Sequence, residues 1–83
     1  MTPEEKQMIE FILKRIRKPD LNIDENTPLV SSGLVDSMAL GDLLIELEDL
    51  THMRIPPGKV RPKDLDTLTK MFATAARVGK PQK

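Results

Sequence analysis

Apolar residues recur at helical spacing in three stretches of the chain, and a long mixed segment separates the first two. Met8, Ile9, Ile12 and Ile16 form the first stripe, which Phe11 and Leu13 widen. Ahead of it, Thr2-Pro3-Glu4-Glu5 matches a capping box, with Thr2 as N-cap, Pro3 at the first helical position and Glu5 reaching back. Lys14, Arg15, Arg17 and Lys18 suit the negative end of this helix, and Pro19 is expected to stop it. A second helix is predicted from Asp36-Ser37 to about Thr51, before Ile55-Pro56-Pro57-Gly58. At about 100° per residue, Leu40, Leu43, Leu44, Leu47 and Leu50 gather on a core-facing side. Met38, Asp42, Ile45 and Asp49 fall on the opposite side. A short helical turn is expected over Lys59 to Asp64, broken or started by Pro62. Asp66 or Thr67 caps a last helix, with Leu68, Phe72, Ala75 and Ala76 inward and Met71 beside them.

Residues 20 to 36 are punctuated by Asn22, Asn26, Pro28, Ser31, Ser32 and Gly33, which predicts a long loop. Leu21, Ile23, Leu29, Val30, Leu34 and Val35 are too apolar for a solvated linker, so the loop is expected to be pinned to the core, with a helical turn near Asp24. The expected fold class is all-α: a small antiparallel bundle of three main helices plus one short helix, a four-helix bundle with a long loop between helices one and two. A chain of 83 residues buries one core. Its expected extent is 1–78, with residues 79–83 a flexible polar tail.

Composition narrows the chemistry. Without cysteine, neither disulfides nor thiolate sites nor a polypeptide thiol nucleophile can form. Phe11 and Phe72, the only aromatics, offer no stacking platform for bases, so no nucleic-acid partner is expected. No apolar run is long enough to span a bilayer and the first residues lack a signal-peptide core, so no transmembrane segment and a cytoplasmic monomer are expected. The formal net charge of zero hides strong segregation. Between Pro19 and Met53 stand eight acids and no Lys or Arg, and all thirteen basic residues lie outside that block. An acidic middle favours partners with basic docking surfaces.

Conventional catalytic sets are missing. His52 is the only histidine, so a two-histidine metal site cannot be built, and no metal is expected. Along one helix it lies roughly 22 Å from Ser37 at about 1.5 Å per residue, too far for a Ser–His pair. His52 is expected on the surface near the end of helix two, where a positive charge is favourable. Ser37, by contrast, places a hydroxyl at a helix start just after an ordered loop. A phosphodiester there meets free backbone N–H groups and the positive end of the helix dipole, and is tolerated without a cluster of Arg or Lys. Taken alone, Asp36 or Ser37 at that position equally reads as an ordinary cap.

The surrounding order of residues is more specific. Gly33-Leu34-Val35-Asp36-Ser37-Met38 resembles the hallmark of the acyl carrier protein family, Asp-Ser-Leu at the head of helix two. Asn26-Thr27-Pro28-Leu29 upstream, Leu43-Leu44-Ile45-Glu46-Leu47-Glu48-Asp49, Ile55-Pro56 and Leu65-Asp66-Thr67-Leu68 continue the likeness over nearly the whole chain. The stretch from Leu43 to Asp49 is also similar to D-alanyl carrier proteins. This resemblance implies a non-enzymatic phosphoprotein whose Ser37 carries 4'-phosphopantetheine, transferred from coenzyme A by a magnesium-requiring phosphopantetheinyl transferase. The arm would hold acyl or aminoacyl groups as thioesters, in fatty acid biosynthesis or secondary metabolism, and present them to the enzymes that activate and transfer them. Asp36 matches the acid beside the modified serine. Met38, Asp42, Ile45, Glu48 and Asp49 match partner-docking positions. Met38 in place of Leu, Gly41 inside the helix and Thr51 at a usually apolar position depart from the pattern. The basic C-terminal third is unlike typical fatty-acid carriers and points to a specialised pathway. The alternative is an unmodified helical protein–protein interaction module.

Overall fold

Thr2 opens the first helix as its sequence dictates: its hydroxyl accepts from the Glu5 N–H at 3.1 Å, and the Glu5 carboxylate accepts from the Thr2 N–H at 2.8 Å. In this computed structural model, which describes residues 1–81, helix α1 runs Pro3–Arg15. It ends before the basic run is finished. Pro19 denies Lys18 the helical region, so the chain must leave the helix earlier. It does so through a left-handed Arg17 at φ 61, with the Arg17 N–H on the Lys14 carbonyl and the Lys18 N–H on that of Leu13.

Helix α2 spans Ser37–Thr51 and α3 spans Leu68–Val78. The single short helix expected near Lys59–Asp64 is instead two 3-10 turns, Pro57–Lys59 and Pro62–Leu65. Each starts on a proline, whose ring forces the residue before it, Pro56 or Arg61, into extended backbone and so separates the turns. The fold is mostly helical but not purely so. A two-stranded antiparallel ladder joins β1 (Met53–Arg54) to β2 (Lys80–Pro81), in register Met53 to Pro81 and Arg54 to Lys80. Of residues 79–81, expected in the tail, Lys80 and Pro81 therefore pair with the exit of α2. Gln82 and Lys83, the rest of that tail, lie outside the described residues. Gly79 is required at this join, because a Cβ would drive into the Ala75 carbonyl oxygen and stand 3.0 Å from the Met53 Cβ.

α1 and α3 both pack on α2. Met8 and Ile12 of α1 meet Ala39, Leu43 and Leu47 of α2, and Leu68, Met71 and Ala75 of α3 complete the helical part of the core. The loop supplies Ile23, Leu29 and Val35, and Ile55 and Leu65 close the far side. The stripe on α2 is turned from the expected one. Ala39 is buried, while Leu40, Leu44 and Leu50 lie half-buried at the edges. On α3, Ala76 is exposed and Phe72 only half-buried. Their place is taken by Met71 and by Thr74, whose hydroxyl reaches the Asp64 carbonyl at 3.3 Å. Unbranched methionines fill the gaps that a core without aromatic anchors leaves. No helix among the described residues is long and apolar enough to cross a membrane.

Candidate functional site

The head of α2 is built by its preceding loop. The segment 24–27 is a tight turn rather than a helical one, with Asp24 Oδ1 accepting from the Asn26 N–H at 2.8 Å. From Pro28 the chain curls back on itself. Gly33, at φ 83 in the left-handed region that glycine tolerates, donates to the Val30 carbonyl. The Val35 N–H then reaches the Leu29 carbonyl at 2.9 Å. Leu29 and Val35 are both buried, so the coil is anchored at its two ends. Asp36 leaves it in extended backbone and caps α2, accepting from the Ala39 N–H at 2.8 Å. Ser37 is the first residue of the helix.

Ser37 is exposed, and neither its hydroxyl nor its N–H has a hydrogen-bond partner among the described residues. The Met38 N–H has no partner among the described residues either. The cap reading therefore belongs to Asp36, which leaves Ser37 uncommitted on the positive end of the helix dipole. Beside it, Arg15, Ile16, Arg17, Leu34, Asp36 and Ala39 line an open cleft of about 370 Å³. Two arginines, Arg15 and Arg17, are thus among the lining of a cleft next to the Asp36 cap, although no basic cluster was legible around Ser37 in the sequence.

The five residues matched to docking positions lie in different circumstances. Met38 is 79% exposed and Ile45 59% exposed, large apolar side chains left in water on one face of α2. Asp49 is exposed and has no partner among the described residues. Asp42 is paired: its Oδ2 lies 2.8 Å from the Arg15 Nε. Arg15, Asp42, Phe11, Ile45 and Glu46 together border a second depression at the α1–α2 seam. Glu48 is half-buried, and its carboxylate accepts from the Ile55 N–H at 2.7 Å, tying off the chain beyond α2. His52 caps the C-terminal end in left-handed backbone at φ 57, exposed, with its N–H on the Glu48 carbonyl. Thr51 is satisfied through the Leu47 carbonyl at 2.7 Å.

Two residues escaped the sequence reading. Arg15 gave no signal beyond its place in a basic run. Asp66 looked like a helix cap, but Thr67 is the cap, accepting from the Lys70 N–H at 3.1 Å. The Asp66 carboxylate turns to the loop instead, where Oδ1 accepts from the N–H groups of Leu29, Val30 and Ser31 at 3.2, 2.8 and 2.9 Å. Oδ2 takes the Ser31 hydroxyl at 2.9 Å. These bonds hold the carboxyl below its ordinary value of 3.8, the Ser31 N–H contributing most, against an opposing effect of burial.

No protein-family model matches the chain, and no solved structure matches it. Among curated proteins, it is 30% identical over 71 residues to the D-alanyl carrier protein of Streptococcus uberis, a match covering 86% of this chain and 87% of that protein. The chain belongs to the phosphopantetheine-binding carrier family that includes the D-alanyl carrier proteins and is related to the acyl carrier proteins.

Proposed function

We propose that the chain carries acyl or aminoacyl groups as thioesters on a 4'-phosphopantetheine arm attached to Ser37. The observation that carries this reading is the uncommitted Ser37 hydroxyl, exposed at the first turn of α2 behind the Asp36 cap. On transfer, Ser37 Oγ bonds the phosphorus of the arm, its proton is lost, and the nucleotide part of coenzyme A leaves. The free N–H groups of Ser37 and Met38 suit the resulting anion. The arm supplies the thiol that the polypeptide lacks. The chain itself catalyses no step.

Met38, Ile45 and Asp49 form the partner face, because they are exposed, lie on the same helix as Ser37 and are free of contacts that would oppose docking. Asp42 joins that face when it exchanges Arg15 for a partner's cation. Glu48 contributes least, since its carboxylate already serves Ile55. The partners are a phosphopantetheinyl transferase and enzymes that activate or transfer the cargo through basic surfaces. The name of the Streptococcus uberis relative makes D-alanine the first cargo to try.

Intact-mass measurement after incubation with coenzyme A, magnesium and a broad-specificity transferase tests the reading. A single phosphopantetheine adduct is expected, and none on Ser37→Ala. Absence of any adduct with several transferases would instead leave the unmodified interaction module.

A further inference from the structure

We infer that Asp66 is a positioning residue for Ser37, its carboxylate fastening the loop that carries the serine to the base of α3. The inference deepens the proposed function and rests on it for its kinetic consequence, though not for its structural one.

Three consecutive N–H groups, those of Leu29, Val30 and Ser31, converge on one oxygen of Asp66, with the Ser31 hydroxyl on the other. Successive N–H groups that converge in this way make a concave nest for an anion, and the protein fills it with its own carboxylate. The Leu29 N–H also meets the Asp66 carbonyl at 2.7 Å. From there the fixed path is short. The Leu29 carbonyl holds the Val35 N–H, Val35 is buried at 2% exposure, and Asp36 follows with its side chain on Ala39. Ser37 comes next.

The Asp66 carboxylate does nothing for its own helix. Thr67 caps α3, and Asp66 spends its acceptors on residues 35 to 37 positions upstream. Thr69 adds a second tie from the same turn, its N–H and hydroxyl both on the Glu25 carbonyl at 3.1 Å. Beyond Asp66, nothing among the described residues engages the N–H groups of Val30 and Ser31. Without its carboxylate they have no acceptor, and the coil between the buried Leu29 and Val35 is free to open. A transferase that grips α2 then meets a serine whose approach is no longer fixed, and misplacement of a nucleophile costs rate steeply.

The test compares Asp66→Ala, Asp66→Asn and Thr67→Ala with the unmodified wild-type chain. Amide hydrogen exchange at Val30, Ser31, Val35 and Ala39, whose N–H groups are all bonded, reads the loop directly, and steady-state transfer kinetics read its use. In Asp66→Ala, exchange at all four amides should accelerate and kcat/KM for arm transfer should fall about tenfold, the loss expected when one to two hydrogen bonds to a charged group no longer fix the site. Asp66→Asn keeps an accepting carbonyl and should recover most of both. Thr67→Ala loses a helix cap of similar worth without touching the loop, and should stay within about twofold of wild type. Equal losses in Asp66→Ala and Thr67→Ala would reduce the effect to stability and overturn the inference, as would unchanged exchange at Val35 and Ala39, the bonded amides on either side of Ser37. If the wild type takes no arm at all, the proposed function falls, and the exchange measurement alone decides whether Asp66 positions Ser37.

Discussion

The two ends of α2 are built on opposite principles. At the N-terminal end the polar groups of Ser37 and Met38 have no partner among the described residues, on a support held by the Asp66 and Asp36 carboxylates. At the C-terminal end almost every group is spent: His52 folds back on the Glu48 carbonyl, Thr51 on that of Leu47, the Glu48 carboxylate on Ile55, and β1 on β2. One end offers chemistry and the other closes the fold. Four of the five acids from Asp36 to Asp49 divide accordingly. Asp36 caps, Asp42 pairs with Arg15, Glu48 anchors the exit, and Asp49 stays free. Similar charge on one helix therefore says little about which acid a partner can use.

The sharpest way to break this comparison is to exchange the two neighbouring acids at the closed end. Ile55 is 1% exposed, so removing the Glu48 carboxylate strands its N–H out of water. Glu48→Ala should cost about 1–3 kcal/mol in denaturant unfolding. Glu48→Gln, which still offers an oxygen, should recover part of that. Asp49→Ala should stay within about 0.5 kcal/mol, as an exposed side chain without partners does. Partner-transfer rates should show the reverse, with Asp49→Lys slowed and Glu48→Gln little changed. If Asp49 proves the costlier of the two in unfolding, the assignment of the exit to Glu48 is wrong.

The support beneath the open end is an ionised carboxylate, which makes it sensitive to acid. Asp66 titrates below its ordinary value of 3.8 in the folded chain, so the folded state binds its proton less readily than the unfolded one. Its contribution is complete above that ordinary value and is lost as the pH falls through the lower folded one. Wild-type stability should therefore drop across this acid window, and Asp66→Asn should flatten that part of the curve while starting lower at neutral pH. Parallel curves for the two proteins would show that the carboxylate contributes nothing through its charge.

Most of the open end was legible in the sequence and most of its support was not. The Thr2 capping box, the Asp36 cap and the exposure of Met38 and Ile45 follow from neighbours within one or two turns, where spacing decides the outcome. Asp66 and Arg15 act on residues tens of positions away, and side-chain type carries no record of a partner at that distance. Ala39 was passed over because its small side chain weakens the stripe on which helix orientation is judged, although it is buried. The β1–β2 ladder is only two residues a side, too short for alternation to register.

Gly41 offers a test on the open half of the helix. A Cβ there meets nothing within 4 Å, so the glycine is not required by packing. Gly41→Ala should stabilise the fold by about 0.5–1 kcal/mol, since the helix interior favours alanine. Gly41 also borders a depression of about 170 Å³ with Leu40, Leu44, Val60 and Leu65. If the stabilised variant accepts the arm normally but transfers cargo more slowly, the space above Gly41 is used by a bound partner or by the arm itself. Equal transfer rates would leave the glycine with no role in carriage.

The smallest effect is expected at Arg15, and it bears on which acids the open end presents. Its contact with Asp42 joins two half-exposed side chains, with 40% and 50% of their surface in water, so it adds no more than about 0–1 kcal/mol to stability. For docking the same contact counts differently, because a partner's cation must displace Arg15 before it gains Asp42. Arg15→Gln should leave unfolding nearly unchanged, yet raise the association rate with a basic partner and steepen its dependence on salt. Asp42→Asn should then matter more in the Arg15→Gln background than in wild type, a coupling that a double-mutant cycle measures. Additive changes would mean that Arg15 and Asp42 face the partner independently, and that the open end presents its full acidity from the start.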